Sequence, residues 1–286
     1  MLQFLVNSKQ SSKQLSPIEN LVSSQPLPDG VLEALALAIR IMSRLRALDG
    51  CPWDRAQTRQ SLTKNLIEET YEVIDAIEKG NIEGLKEELG DLLLQVIFQA
   101  EIAQEKGEFD LADVAEALAE KLIRRHPHVF GDVQANNAEE ALQSWNNAKR
   151  SEGEHVNNLS SVPEHMPALL RARKVVDKAG RVGFEWPSVK EAFDKLDEEI
   201  GELRRAVVDG DQKHIREELG DVLFMTACVA RYLHECPELA LQATIEKFLQ
   251  RFKYIEKRLA EEGLTPEQAT LEKMDGYWDE AKGMEL

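Results

Sequence analysis

The stretch EETYEVIDAIEKGNIEGLKEELGD, residues 68 to 91, returns as EEIGELRRAVVDGDQKHIREELGD, residues 198 to 221. Glu68, Glu69, Glu72, Glu87, Glu88, Leu89, Gly90 and Asp91 are met again, 130 positions later, by Glu198, Glu199, Glu202, Glu217, Glu218, Leu219, Gly220 and Asp221. The turn between the two acidic clusters is matched as well, Lys79-Gly80-Asn81 in one copy and Asp209-Gly210-Asp211 in the other. The chain is an internal duplication, and what it kept twice is a set of carboxylates.

Helical geometry turns that spacing into a site. At about 100 degrees per residue, Val189, Phe193, Leu196, Ile200, Leu203 and Val207 form one apolar stripe, which predicts an amphipathic helix over 188–208. Lys195, Glu199 and Glu202 fall together along one edge of the stripe, where they are expected to flank the core. On the next predicted helix Ile215, Leu219, Val222, Thr226, Val229 and Leu233 make the stripe, with Glu218 and Asp221 on its flank. Two helices joined by a short turn pack antiparallel, which brings two i, i+3 carboxylate pairs face to face at the rim of a bundle. The first copy repeats the arrangement with Glu69, Glu72, Glu88 and Asp91.

A solvated acidic face is the plainer reading of any one Glu-rich helix. Duplication and convergence argue instead for cations that hold the acids together. Oxygen-only donors suit hard divalent ions, and Mg2+ is usually shared between a few carboxylates, water and substrate phosphates, so Mg2+ or Mn2+ is expected. Zinc fits badly, because Cys51, Cys228 and Cys236 form no CxxC pair and no HExxH occurs. A di-iron bundle would place a histidine three residues after a ligand glutamate, and none stands there.

The 286 residues leave room for two domains, each with its own core. A formal charge of -17 repels nucleic-acid backbones, so a polynucleotide partner is not expected, whereas a small anion bridged by metal ions is compatible. Three cysteines without evident partners point to a reducing compartment. The opening Met-Leu-Gln-Phe-Leu-Val run is too short for a signal-peptide core, and Val222 to Ala230 is too short to span a bilayer, so a cytoplasmic protein without a membrane partner is expected.

Residues 1–29, rich in Ser, Gln, Asn and Pro, read as a flexible extension. The first repeat runs over 30–152: a helix from Val31 to Leu48, a Cys51-Pro52-Trp53-Asp54 loop, the two acid-bearing helices, apolar spacing through Leu111, Val114, Leu118 and Leu122, and a closing helix around Trp145. Residues 153–167 read as the linker, and the second repeat fills 168–286 on the same plan. Strand-like alternation is scarce, so the fold class is all-α. Two further elements recur: Glu120-Lys121-x-x-x-Arg125 matches Glu246-Lys247-x-x-x-Arg251, and Trp145-x-x-Ala148-Lys149 matches Trp278-x-x-Ala281-Lys282. A Lys/Arg pair facing a metal cage suits a polyphosphate, and Trp offers a flat face to a base. His126-Pro127-His128 reads as a loop.

The ordered set CPWD, the Glu-Glu-x-x-Glu acids, EELGD, RRHPHVF, VGFEW, the second acid set, EKFxxRF and the final Trp resembles the MazG family of nucleoside triphosphate pyrophosphohydrolases over about residues 31 to 286. The resemblance covers both repeats. It implies two helical-bundle repeats completed by dimerisation, action on NTPs and dNTPs, Mg2+ dependence, and a nucleoside monophosphate and pyrophosphate as products. It also implies that the second repeat is the main catalytic one, with Glu199, Glu202, Glu218 and Asp221 as metal ligands and Lys195, Lys247, Arg251 and Trp278 contacting the nucleotide. The mechanism expected on that basis is attack of a metal-activated water on the α-phosphorus, with Glu198 taking the proton and Lys247 and Arg251 offsetting charge on the pyrophosphate.

The two repeats should be unequal. Lys195 stands one turn before Glu199, where the first repeat has Asn65, and Asp75 stands where the second has Arg205. Lys64 is adjacent in sequence but about 100 degrees away round the helix, a poor substitute. Two rival classes are distinguishable: a regulatory protein that binds nucleotide and metal without turnover, and a helical partner-binding protein whose acids are merely solvated.

Overall fold

A computed structural model describes residues 26–152 and 159–284, and among them there are twelve α-helices and no strand. The chain divides into two compact units, Met1–Ser151 and Glu152–Leu286. The expected extension lies outside the described residues as far as residue 25, and so does the first part of the expected linker, 153–158.

Unit one runs α1 (Val31–Arg46), α2 (Pro52–Ala56), α3 (Thr63–Glu78), α4 (Ile82–Glu105), α5 (Leu111–Arg125), α6 (Pro127–Phe130) and α7 (Ala138–Ser151). Its centre is the α3–α4 pair, with α1 laid on α4. Met42, Leu62, Ile97, Phe98 and Ile102 form the core, and full burial of a side chain such as Leu62 contributes about 1.5–3 kcal/mol. Two stretches read as loops are single helical turns. Cys51-Pro52-Trp53-Asp54 opens α2, because Pro52 at the first helical position needs no N–H partner, and Pro127 does the same for α6.

Unit two contains α8 (Ala168–Gly180), α9 (Val189–Asp209), α10 (Gln212–Tyr232), α11 (Pro237–Glu261) and α12 (Leu271–Gly283), with 3-10 turns at Leu159–Ser161 and Pro266–Gln268. The α9–α10 hairpin is the most extensive contact, α8 packs on α10, and α12 closes on α11. Val176, Met225 and Cys228 form one core cluster with Trp186 against it, and Ile255, Leu259 and Tyr277 form another. The VGFEW segment is tied down by Arg231, which bridges Asp177 (3.4 Å) and Glu185 (2.5 Å), and by Tyr232, whose hydroxyl donates to the Trp186 carbonyl (2.6 Å).

The apolar stripes do not form the seam between α9 and α10. Phe193 and Val207 are 44% and 58% exposed, and Leu219 on α10 is 48% exposed, while the buried residues of α9 are Ala192, Glu199 and Ala206. These stand seven residues apart, two turns each, so they line one face. The alanines let the helices close, and the acid between them is carried into the seam rather than to its rim. Glu218 and Met225 make the facing line on α10, seven residues apart and both buried. Unit one uses the same register: Leu62, Glu69 and Ala76 on one side, Glu88, Gln95 and Ile102 on the other.

Candidate metal centre

The turn between α9 and α10 sets which carboxylates meet. Gly210 ends α9 at φ 73, a left-handed conformation that glycine adopts without a Cβ penalty. Asp211 follows at once as the cap of α10, its Oδ1 accepting from the backbone N–H groups of Lys213 (2.9 Å) and His214 (3.3 Å). With no residue between cap and cap, the hairpin register is fixed, and Glu199 and Glu202 face Glu218. One oxygen from each of these three lies within 4.8 Å of the others. Glu199 and Glu218 are buried, at 7% and 9% exposure, and Glu202 is half-buried. Asp221, one turn beyond Glu218, is exposed and outside this trio, and Glu198 is exposed and held by Lys195 (2.9 Å).

Unit one assembles Glu69, Glu88 and Asp91, all half-buried, within the same limit. Glu72 is exposed beside Glu69.

Three oxygens closing on a common centre suit a hard cation, since a triangle of this size puts its centre about 2.8 Å from each corner and small side-chain shifts reach the ~2.0–2.6 Å of Mg2+ or Ca2+ ligands. The second trio passes a stricter test of fit. Glu218 Oε1 lies 2.8 Å from His214 Nε2, within ion-pair distance, but its Oε2 is buried without a hydrogen-bond partner. A buried carboxylate oxygen left this way is costly, and a cation at the trio relieves it.

The MazG nucleotide pyrophosphohydrolase domain model matches the chain twice, over residues 57–130 and 188–258, spans that contain both acid-bearing hairpins. The chain belongs to the MazG family. It is 42% identical over 247 residues to the nucleoside triphosphate pyrophosphohydrolase/pyrophosphatase MazG of Thermotoga maritima, covering 86% of this chain and 94% of that one. It is 43% identical over 256 residues to the nucleoside triphosphate pyrophosphohydrolase of Escherichia coli K12, covering 87% and 97%.

The two MazG repeats differ in what surrounds the acids. In the second, every member of the trio has a basic partner: Lys195 on Glu199 (2.7 Å), Arg205 on Glu202 (3.1 Å) and His214 on Glu218 (2.8 Å). Hydrogen bonds to Glu199 and then Glu198 hold the Lys195 ammonium well above its ordinary pKa. In the first MazG repeat the corresponding positions are Asn65, Asp75 and Gly84, and Asp75 pairs with Lys79 instead. Partial desolvation, followed by the charges of Asp91 and Glu72, pushes Glu69 above the usual carboxylate range, and desolvation followed by Glu72 and Asp91 does the same to Glu88. His214 was not singled out from sequence, although its i, i+4 spacing to Glu218 carried the signal.

The other basic and aromatic candidates of this MazG chain lie on α11 and α12. Arg251 sits over the Trp278 ring at 5.3 Å, Phe248 packs against the same ring at 5.2 Å, and Lys247 is exposed. The first repeat repeats the pairing, with Arg125 over Trp145 at 5.5 Å. Trp145 and Trp278 therefore each carry an arginine on the ring face. No helix among the described residues is long and apolar enough to cross a membrane.

Proposed function

We propose that this MazG protein is a Mg2+-dependent nucleoside triphosphate pyrophosphohydrolase, with Mn2+ a substitute, that hydrolyses NTPs and dNTPs at the α-phosphate to a nucleoside monophosphate and pyrophosphate. The observation that carries the reading is the all-carboxylate trio, two of its members buried and one oxygen unpartnered, set beside a lysine. The names of the two relatives support its coarser part, nucleoside triphosphate pyrophosphohydrolase activity. Glu199, Glu202 and Glu218 would hold the metal, joined by Asp221 from the next turn of α10, and Glu69, Glu72, Glu88 and Asp91 are the second set. Mg2+ bound there supplies positive charge for the triphosphate and lowers the pKa of the attacking water.

The chain's own groups do the rest. Lys195, shared between Glu198 and Glu199, would turn to a phosphate oxygen of the bound nucleotide. Its departure uncovers Glu198, which is exposed and free to take the proton of the attacking water. Lys247 and Arg251 offset the charge that develops on the leaving pyrophosphate, and Trp278 fixes the Arg251 guanidinium. A homodimer fits the exposed apolar side chains of α9 and α10, among them Phe193, Leu219, Leu223 and Phe224, which a second copy would cover. The first repeat, which has Asn65, Asp75 and Gly84 where the second has Lys195, Arg205 and His214, serves assembly or weak binding.

A panel of NTPs and dNTPs incubated with Mg2+ tests the proposal. It should release pyrophosphate, stop with EDTA and restart with excess Mg2+. Nucleotide and metal binding without turnover would favour the regulatory alternative, and neither binding nor turnover would favour solvated acids.

A further inference from the structure

Glu218 has two oxygens with different fates. Oε1 lies 2.8 Å from His214 Nε2, within ion-pair distance, and Oε2 is buried and unpartnered. The side chain of Glu218 is 12% exposed, whereas that of His214 is 48% exposed, so the histidine reaches in from solvent and ends on the carboxylate. His214 is itself placed by the Asp211 cap, which accepts from its backbone N–H. A carboxylate held through one oxygen cannot rotate freely, and its other oxygen stays buried.

We infer that His214 is a positioning residue for the metal centre: the contact of its Nε2 with Oε1 fixes the rotamer of Glu218 so that Oε2 is presented as a ligand. The inference rests on the reading of Glu218 as a metal ligand. Groups that orient a ligand from behind commonly change metal affinity by 10- to 100-fold when removed. The device is confined to the second repeat, because the matching position is Gly84, which has no side chain to hold Glu88. It therefore adds to Lys195 as a difference between a hairpin built for turnover and one that is not. Half-exposed on the first turn of α10, His214 fills no cavity, so its truncation does not open the core.

The experiment uses the full chain carrying Glu69→Gln and Glu88→Gln, so that the first repeat contributes little to binding. Mn2+ affinity without nucleotide is read from the free-ion electron paramagnetic resonance signal for this parent and for His214→Ala, His214→Gln and Glu218→Gln, with helicity checked by circular dichroism. The expectation is that His214→Ala weakens Mn2+ binding by on the order of tenfold. His214→Gln, whose amide can donate across the same i, i+4 spacing, should restore most of the loss. Glu218→Gln should weaken binding more than either. An unchanged affinity in His214→Ala beside a collapse in Glu218→Gln would overturn the positioning role alone. Equal losses from Ala and Gln would overturn it too, and tighter binding by both would make His214 a competing counterion. No effect from Glu218→Gln would instead overturn the reading of the metal centre on which the inference rests.

Discussion

Replacing Glu199 with Gln keeps the shape of the side chain and removes one of three charges from the second trio. Glu199 is 7% exposed between Ala192 and Ala206, so the amide stays in the seam and the hairpin has no reason to open. Lys195 is not orphaned, because Glu198 still holds it at 2.9 Å. The loss therefore falls on the metal. Removing one partner of a buried ion pair costs about 3–5 kcal/mol, and the side chains of Lys195 and Glu202 are 32% and 35% exposed, so water on that side argues for the lower end. About 3 kcal/mol corresponds to roughly 100-fold weaker metal binding. Pyrophosphate release measured against Mg2+ at saturating NTP should shift by that factor and fall to a small fraction at limiting metal. Glu69→Gln in the first repeat removes a charge from a crowded set with no cationic partner at the matching positions, and most turnover should survive. Equal losses from the two variants, or a larger loss from Glu69→Gln, would refute the assignment of the catalytic repeat.

Glu88→Gln should change the pH dependence of stability with a definite sign. A carboxyl whose folded pKa is raised binds more protons folded than unfolded above 4.5, its ordinary value, so its stabilisation is lost as pH rises through that window. The denaturant midpoint of wild type relative to Glu88→Gln should therefore fall as pH rises above 4.5, and Mg2+ should recover it; a flat or rising difference would contradict the crowding of the first trio. Arg251→Ala should raise the KM for NTP by about tenfold or more, given the ~1.5–3 kcal/mol of a charged hydrogen bond, while leaving Mn2+ affinity without nucleotide unchanged; an unchanged KM would remove Arg251 from the nucleotide site. Light scattering should give twice the 32.3 kDa chain mass, with Phe193→Glu or Leu223→Glu shifting it toward the monomer; a monomeric wild type would contradict the proposed dimer.

The acid hairpins were legible because three-residue spacings, a short turn and a duplicate copy constrain helical geometry tightly. Val189–Asp209 and Gln212–Tyr232 fall within a few residues of the expected helices. What the apolar pattern hid was the face. Phe193 and Val207 dominate a hydrophobic periodicity, yet close approach of two helices favours small residues, so Ala192 and Ala206 took the seam and drew Glu199 in with them. Pro52 and Pro127 were read as loop markers where they start single helical turns, a distinction that depends on the residues after them. His214 escaped notice because one histidine on an acidic helix signals nothing until its partner's second oxygen is seen to be buried and unpaired.

Hydrolysis of an NTP in water enriched with oxygen-18, followed by mass spectrometry of both products, tests the central claim most directly. Attack at the α-phosphorus puts the heavy oxygen in the nucleoside monophosphate and leaves the pyrophosphate unlabelled, in equal amounts, with EDTA abolishing both. Label in the pyrophosphate, or release of nucleoside diphosphate with labelled orthophosphate, would contradict it.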